Sequence, residues 1–252
     1  MNSPLCYIGG KSLLSKIIID SMPDHHSYVE VFAGAAWVFF KKEKSKVEII
    51  NDLDGDLVSF YRVLQNHLEE FIKQFRWLIT SREWWNDWNK QMNTTGLTDI
   101  QRAARYYYVQ RLCFGGKVKG RAFGTAADRP PRINLLRIEE DLSEVHMRLI
   151  NVVVENLDWR NIIERYDRAA TLFYLDPPYH KMPFYKHNME SSDFARMAEV
   201  LKSVKGKFLL SLNDNDFICD TFAQFKQKKV SVKYSVGKDT KKIGKELLIS
   251  NY

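Results

Sequence analysis

Thr171-Leu172-Phe173-Tyr174-Leu175-Asp176-Pro177-Pro178-Tyr179 is the stretch that decides the architecture of this chain. Its first five residues are a short apolar run, which predicts a buried strand. Asp176 then stands at the carboxyl end of that strand, the place where open α/β sheets bind their ligands. Pro177 and Pro178 stop the strand, fix the backbone and donate no N–H. The result is a rigid ledge that carries one carboxylate, outward carbonyls and the ring of Tyr179.

The same grammar repeats on both sides of the ledge. Tyr28 to Phe32 predicts a buried strand, followed by Ala33-Gly34-Ala35-Ala36 and a helix from about Trp37. Strand, small-residue turn and helix open a nucleotide-binding α/β unit, because small residues let a ligand approach the backbone. Val47 to Ile50 predicts a second strand that ends at Asn51-Asp52, and an acid at that distance from the turn is placed to accept from ribose hydroxyls; helix capping is the plainer role, which Asp54 could also fill. Val152 to Val154 predicts a third strand running into Glu155-Asn156-Leu157-Asp158, with a helix over 161–166. Beyond the ledge come a helix over 194–204 and a strand over 207–212. A hairpin follows, with strands over 230–236 and 245–252 and a glycine- and lysine-rich turn over 237–244. Strands alternating with helices and closed by a hairpin predict a mainly parallel sheet with an antiparallel edge.

Between these blocks the pattern changes. Helices are predicted over 13–19, 57–79, 99–112 and 138–148, and 84–96 is polar and aromatic with a turn at its end. Residues 101–137 hold nine basic side chains (Arg102, Arg105, Arg111, Lys117, Lys119, Arg121, Arg129, Arg132 and Arg137) against one acid, Asp128. Glycines and Pro130-Pro131 make this a looped segment, and Phe114 and Phe123 interleave with the charges. Basic groups track phosphates and flexible loops enter grooves, so this segment is the expected nucleic-acid contact.

The totals agree. The chain has 252 residues, 45% of them hydrophobic, enough for a packed core, and a formal net charge of +7, which favours an anionic partner. Cys6, Cys113 and Cys219 are odd in number and far apart, which predicts inert thiols, a reducing cytoplasmic setting and no zinc site. No apolar run is long enough to span a bilayer, and no secretory signal is expected. Gly9-Gly10-Lys11-Ser12 fails as a phosphate loop, because Leu5 stands where glycine is required. His180 and His187 lack metal-ligand spacing and are expected on a loop surface. Trp77, Trp84, Trp85 and Trp88 are expected in packing, and 181–188 as a flap or an ordinary loop. A ledge of this kind suits a planar base with an exocyclic amine, its hydrogens meeting acceptors and its face stacking on Tyr179.

Taken together, Tyr7-Ile8-Gly9-Gly10-Lys11, Val31-Phe32-Ala33-Gly34-Ala35, Asp52, Asp176 to Tyr179 and the terminal Glu246 to Tyr252 resemble the Dam-like DNA adenine N6-methyltransferases nearly end to end. The resemblance implies a seven-stranded, doubly wound, mainly parallel sheet, with a catalytic domain over 1–56 and 150–252 and a target-recognition insert over 57–149. It implies S-adenosylmethionine as cofactor, contacted by Tyr7, Lys11, Gly34, Asp52 and Asp176, with Phe32 and Asp158 lining the cavity. Lys11 is expected at the methionine carboxylate and Asp52 at the ribose. Asp176, Pro177, Pro178 and Tyr179 become the catalytic group. Arg111, Lys117, Lys119, Arg121, Phe123, Arg129 and Arg132 become the expected contacts to double-stranded DNA, and no metal is implied. The asparagine-rich pattern associated with reading GATC is largely missing. The implied setting is a bacterial or phage-encoded enzyme, compatible with a cognate restriction endonuclease, with oligomeric state open. An RNA adenine methyltransferase, a cytosine-N4 enzyme and an inactive DNA-binding regulator are the competing readings.

Overall fold

The structure is a computed structural model that describes residues 1–128, 130–182, 184–236 and 240–252, with side chains outside 232–243. In chain order its elements are α1 Ser15–Asp20, β1 Ser27–Glu30, α2 Trp37–Lys41, β2 Val47–Asn51, α3 Gly55–Asn66, α4 Leu68–Lys73, α5 Arg82–Gln91, α6 Asp99–Arg111, α7 Ile138–Leu149, β3 Val153–Glu155, α8 Trp159–Tyr166, β4 Thr171–Leu175, α9 Ser191–Ser203, β5 Lys207–Asn213, α10 Asp216–Thr221, β6 Lys226–Val236 and β7 Thr240–Ser250.

The apolar run 171–175 is β4, and every one of its residues is buried. It pairs in parallel with β1 on one side and β5 on the other. The sheet has seven strands in the order β3-β2-β1-β4-β5-β7-β6, with β7 antiparallel to both of its neighbours. Strand order reverses between β1 and β4, so the crevice at their carboxyl ends is the topological switch point.

Alternation of side chains splits the core into two clusters. Tyr28, Ile50, Leu172, Tyr174, Leu209 and Leu248 face α1, α2, α3, α6 and α7. Val29, Ile49, Phe173, Leu175, Leu210 and Ile249 face α8, α9 and α10. The helices of 57–149 share the first cluster with the strands, through Phe60, Phe71, Tyr106 and Tyr107 among others.

Some sequence-based expectations need correction. The helix predicted over 57–79 is two helices, α3 and α4, broken at His67, whose backbone (φ −139°, ψ 39°) leaves helical geometry. The segment 84–96 is largely the helix α5, started by Ser81, whose side chain accepts from the Trp84 N–H. The helix α10, capped by Asn215, lies between the predicted strand over 207–212 and the hairpin, where no element is predicted. In the terminal hairpin β6 begins at Lys226 and β7 at Thr240, so most of the turn predicted over 237–244 is strand; Gly237 to Asp239 lie outside the described residues. Among the described residues no helix is long and apolar enough to cross a membrane. No cluster there could hold a metal ion. Cys113 is buried, while Cys6 and Cys219 are partly buried, and all three are free.

Candidate active site

The carboxyl ends of β1, β2 and β4 open into a cavity of about 190 Å³. Its wall includes Tyr7, Lys11, Glu30, Phe32, Gly34, Asp52, Asp158, Asp176 and Pro178. Every residue expected at the cofactor is therefore in one place, delivered by loops whose route the sheet dictates.

Asp52 follows β2 directly. Its carboxylate accepts from the backbone N–H of Gly34 at 2.9 Å and of Asp54 at 2.9 Å, which locks the two loops together. Burial raises its pKa to about 6, against these bonds, which lower it. Asp54 caps α3 by accepting from the Asp56 N–H, the capping role weighed for it in the sequence. Asp158 caps α8 and is held by Arg160 at 2.7 Å. Burial pushes its pKa up, but Arg160 outweighs burial and the net shift is downward.

Lys11 is buried, lines the cavity and is paired within the chain. Its ammonium lies 2.6 Å from Asp176 Oδ1 and donates to the Tyr179 hydroxyl at 2.6 Å. It also sits 4.6 Å from the centroid of the Tyr179 ring. Ser211 on β5 donates to the same Oδ1 at 3.1 Å. Among the described residues, Asp176 Oδ2 and the Pro177 carbonyl accept no hydrogen bond. Burial raises the pKa of Asp176, and Lys11 and Ser211 oppose that rise. The Tyr179 hydroxyl donates in turn to Glu246 on β7.

Two buried carboxyl groups at this site were not singled out from the sequence. Glu246 was read only as part of the last strand, because strand periodicity carries no sign of what a buried acid faces. Glu30 ends β1 and accepts from the Tyr28 hydroxyl and the Phe39 N–H. Burial lifts its pKa to about 8, so it is protonated at neutral pH. An acid inside an apolar strand, at the rim that binds ligands, was the available signal.

The loop 181–189 lies against the cavity through Tyr185, Lys186, His187, Asn188 and Met189. Lys186 bonds Asp54 at 2.8 Å and Asp56 at 3.2 Å. Gly9 has φ +73°, and the Tyr185 hydroxyl occupies the place that a Cβ there would take, so both backbone and space favour glycine. His180 is buried, contrary to the loop-surface expectation: it is stacked on Phe217 at 4.2 Å and bonded to Ser191.

The basic segment divides. Arg102 pairs with Asp56, Arg105 bonds Gln91 and lies over Trp88, and Arg137 pairs with Glu140. Arg111 donates to the carbonyls of Pro4 and Arg132, and Arg121 is half-buried over Tyr106. Phe123 is half-buried against Trp85 at 5.9 Å, under Arg82. Lys117, Lys119 and Arg132 are exposed, as is Phe114. Arg129 lies outside the described residues. Of the tryptophans, Trp85 and Trp88 pack as expected, whereas Trp77 is 84% exposed and Trp84 is also exposed. The segment is tied to the cavity at Gly116 (φ +65°), whose carbonyl accepts from the Ile8 N–H and the Gln110 amide. A Cβ at Gly116 would stand 2.8 Å from the Tyr7 nitrogen.

A family model of the D12 class N6 adenine-specific DNA methyltransferases matches residues 7–236, a span that contains both the cavity and the basic segment. The chain belongs to this family. Its activity is transfer of a methyl group to adenine N6 in DNA. The chain is similar along its whole length to the type II methyltransferase M.CviBI of Paramecium bursaria Chlorella virus NC1A, at 23% identity over 97% of each chain. It is likewise similar to the type II methyltransferase M.MjaIII of Methanocaldococcus jannaschii, at 26% identity over 98% of each. The DNA adenine methylase of Salmonella typhi is 23% identical over 97% of this chain and 93% of its own. The expected fold, a seven-stranded and mostly parallel sheet with an antiparallel end, is the one found.

Proposed function

We propose that the cavity binds S-adenosylmethionine and that Asp176 receives the exocyclic amine of an adenine turned out of duplex DNA at a specific sequence. The observation that carries this reading is the state of the ledge. Asp176 is partly buried, its side chain 18% exposed, and is fixed through one oxygen, which leaves Oδ2 and the neighbouring Pro177 carbonyl to accept the two amine hydrogens.

The residues present fit the cofactor. Asp52 is a partly buried acceptor with spare lone pairs, its position fixed by two backbone N–H groups, and suits a ribose diol. Tyr7, Phe32 and Pro178 supply apolar wall beside it, and Gly34 leaves the floor bare. Bound there, S-adenosylmethionine supplies an electrophilic methyl group. Lys11, held by Asp176 and Tyr179, supports the ledge from beneath in this reading.

The amine nitrogen of adenine is a poor nucleophile because its lone pair is delocalised into the ring. Two acceptors on its hydrogens draw it towards a tetrahedral, attacking geometry. Asp176 and the Pro177 carbonyl do this without moving, since Lys11 fixes the first and the prolines the second. Alignment of this kind lowers a barrier by about 7–11 kcal/mol. Extrusion of the base costs a few kcal/mol, and contacts from 57–149 offset that cost. Lys117, Lys119 and Arg132 are the exposed cations for phosphate contact, with Arg111 and Arg121 bracing the loop.

The intact Asp176–Lys11 pair weighs against a binding-only regulator, which has no use for a buried ion pair on the ledge. Radiolabelled cofactor offered with duplex DNA, single-stranded DNA and RNA tests the reading. Label is expected in N6-methyladenine of the duplex, and none with Asp176→Ala. Transfer by Asp176→Ala at the wild-type rate would refute it.

A further inference from the structure

We propose that Glu246 is a positioning residue that enables Asp176 to take the proton adenine N6 loses on methylation, by standing as a second counter-charge for Lys11. The inference rests on the reading above, in which Asp176 receives the amine.

Methyl transfer creates a proton to be placed. As the bond from N6 to the methyl carbon forms, the donor keeps the electron pair of the bond that breaks. N6 then carries a positive charge and must lose one hydrogen. The electron pair of that N–H bond stays on nitrogen, and the proton moves to Asp176 Oδ2, the oxygen without a partner among the described residues. No oxidant, reductant or third reactant is needed.

Asp176 alone is badly placed for this. It is the direct ion partner of Lys11, whose side chain is only 4% exposed. Protonating Asp176 would leave that ammonium buried beside a neutral acid, an arrangement that is strongly disfavoured. The hydrogen-bond chain removes the difficulty. Lys11 donates to the Tyr179 hydroxyl, and Tyr179 donates to Glu246, so both donors point towards Glu246. Glu246 is itself buried, on the strand that pairs with β5 beside the ledge. When Asp176 becomes neutral, Lys11 keeps a carboxylate partner through Tyr179. Burial already pulls Asp176 towards its protonated form, in the same sense. The phenol is thus an electrostatic link, a role separate from stacking.

Single-turnover methyl transfer with S-adenosylmethionine and duplex DNA, measured beside the Kd of each, tests the proposal. Glu246→Gln keeps an acceptor oxygen but removes the charge, and Tyr179→Phe keeps the ring but removes the link. Each is expected to slow transfer about 100-fold, the scale of proton-transfer assistance, with both Kd values within about twofold of wild type. The double variant should be no slower than the slower single variant, and Glu246→Asp should recover most of the rate. An infrared band of a protonated carboxyl group should appear on turnover in the wild type and be absent in Glu246→Gln. Wild-type rates in either single variant, losses explained by weaker binding, multiplied effects in the double variant, or the band persisting in Glu246→Gln would each overturn the proposal. If the Glu246 variants fail to fold, Tyr179→Phe decides alone by the same rate criterion. Asp176→Ala separates the two levels: an inactive Asp176→Ala with unimpaired Tyr179→Phe and Glu246→Gln rejects the counter-charge and spares the ledge.

Discussion

The cleft at the switch point and the basic segment beyond α6 use charge in opposite ways. In the cleft, Lys11, Asp52, Asp176 and Glu246 are buried or nearly so, and each is bonded to another part of the site. In the basic segment Lys117, Lys119 and Arg132 stand in solvent. Buried charges must be paired and fixed, so the cleft has one arrangement and can do chemistry that tolerates little misplacement. Exposed cations keep their hydration until a polyanion replaces it, so the segment suits a ligand met along a groove. In the function proposed for this chain, catalysis falls to the first environment and DNA reading to the second, as these physical needs suggest.

The contrast can be broken most severely at the ledge. Asp176→Ala is expected to reduce methyl transfer to below about a thousandth of wild type, while duplex affinity in a filter or anisotropy assay changes less than about twofold. Preserved activity would mean that the cleft is not where chemistry happens.

Glu30 sharpens the same side of the contrast. Its pKa is raised from 4.5 to about 8 by burial, so the folded state holds a proton that the unfolded chain releases near pH 4.5. The stability this group contributes is therefore fully present below about pH 4.5 and is lost as pH rises through 8. The slope approaches about 1.4 kcal/mol per pH unit across that window. Denaturant melts of Glu30→Gln should lack this part of the decline; parallel profiles for the two proteins would show that Glu30 ionises normally.

The basic segment gives the next effect. Lys117→Ala, Lys119→Ala and Arg132→Ala should each weaken duplex binding uniformly across sequences. Removing any one cation that sits on a phosphate should lower the log–log salt slope by about 0.9. Affinities indifferent to salt and to all three changes would place the reading surface elsewhere. The smallest effect belongs to Trp77→Ala, where 84% exposure predicts a stability change within about 0.5 kcal/mol.

The same division explains what the sequence disclosed. Thr171 to Tyr179, Gly9 to Lys11 and Asp52 were legible because backbone-fixing residues and lone acids at strand ends leave short, local signatures. The strands were legible because all five residues of β4 are buried. The break at His67 was not, since apolar spacing continues across it into α4. The partners of Lys11 were not legible either: Tyr179 is 168 positions away, Asp176 nearly as far, and only the fold decides which acid an ammonium meets. In the basic segment composition announced the charge, but sorting Arg102, Arg105 and Arg137 from Lys117 and Lys119 required knowing which acids and rings lie beside them.

One apolar cluster runs without a seam from the strands into α3, α6 and α7, and the Gly116 carbonyl fastens the loop after α6 to the backbone N–H of Ile8. The middle third of this protein is consequently not a cassette. A chimera that took a relative's stretch between α3 and α7 would import half of a foreign interior with it. Exchange of target preference between such enzymes should succeed only with short grafts over Lys117 to Gly120, which contribute nothing to that cluster, whereas Phe123, Ile133 and Leu135 further on belong to it or pack against it.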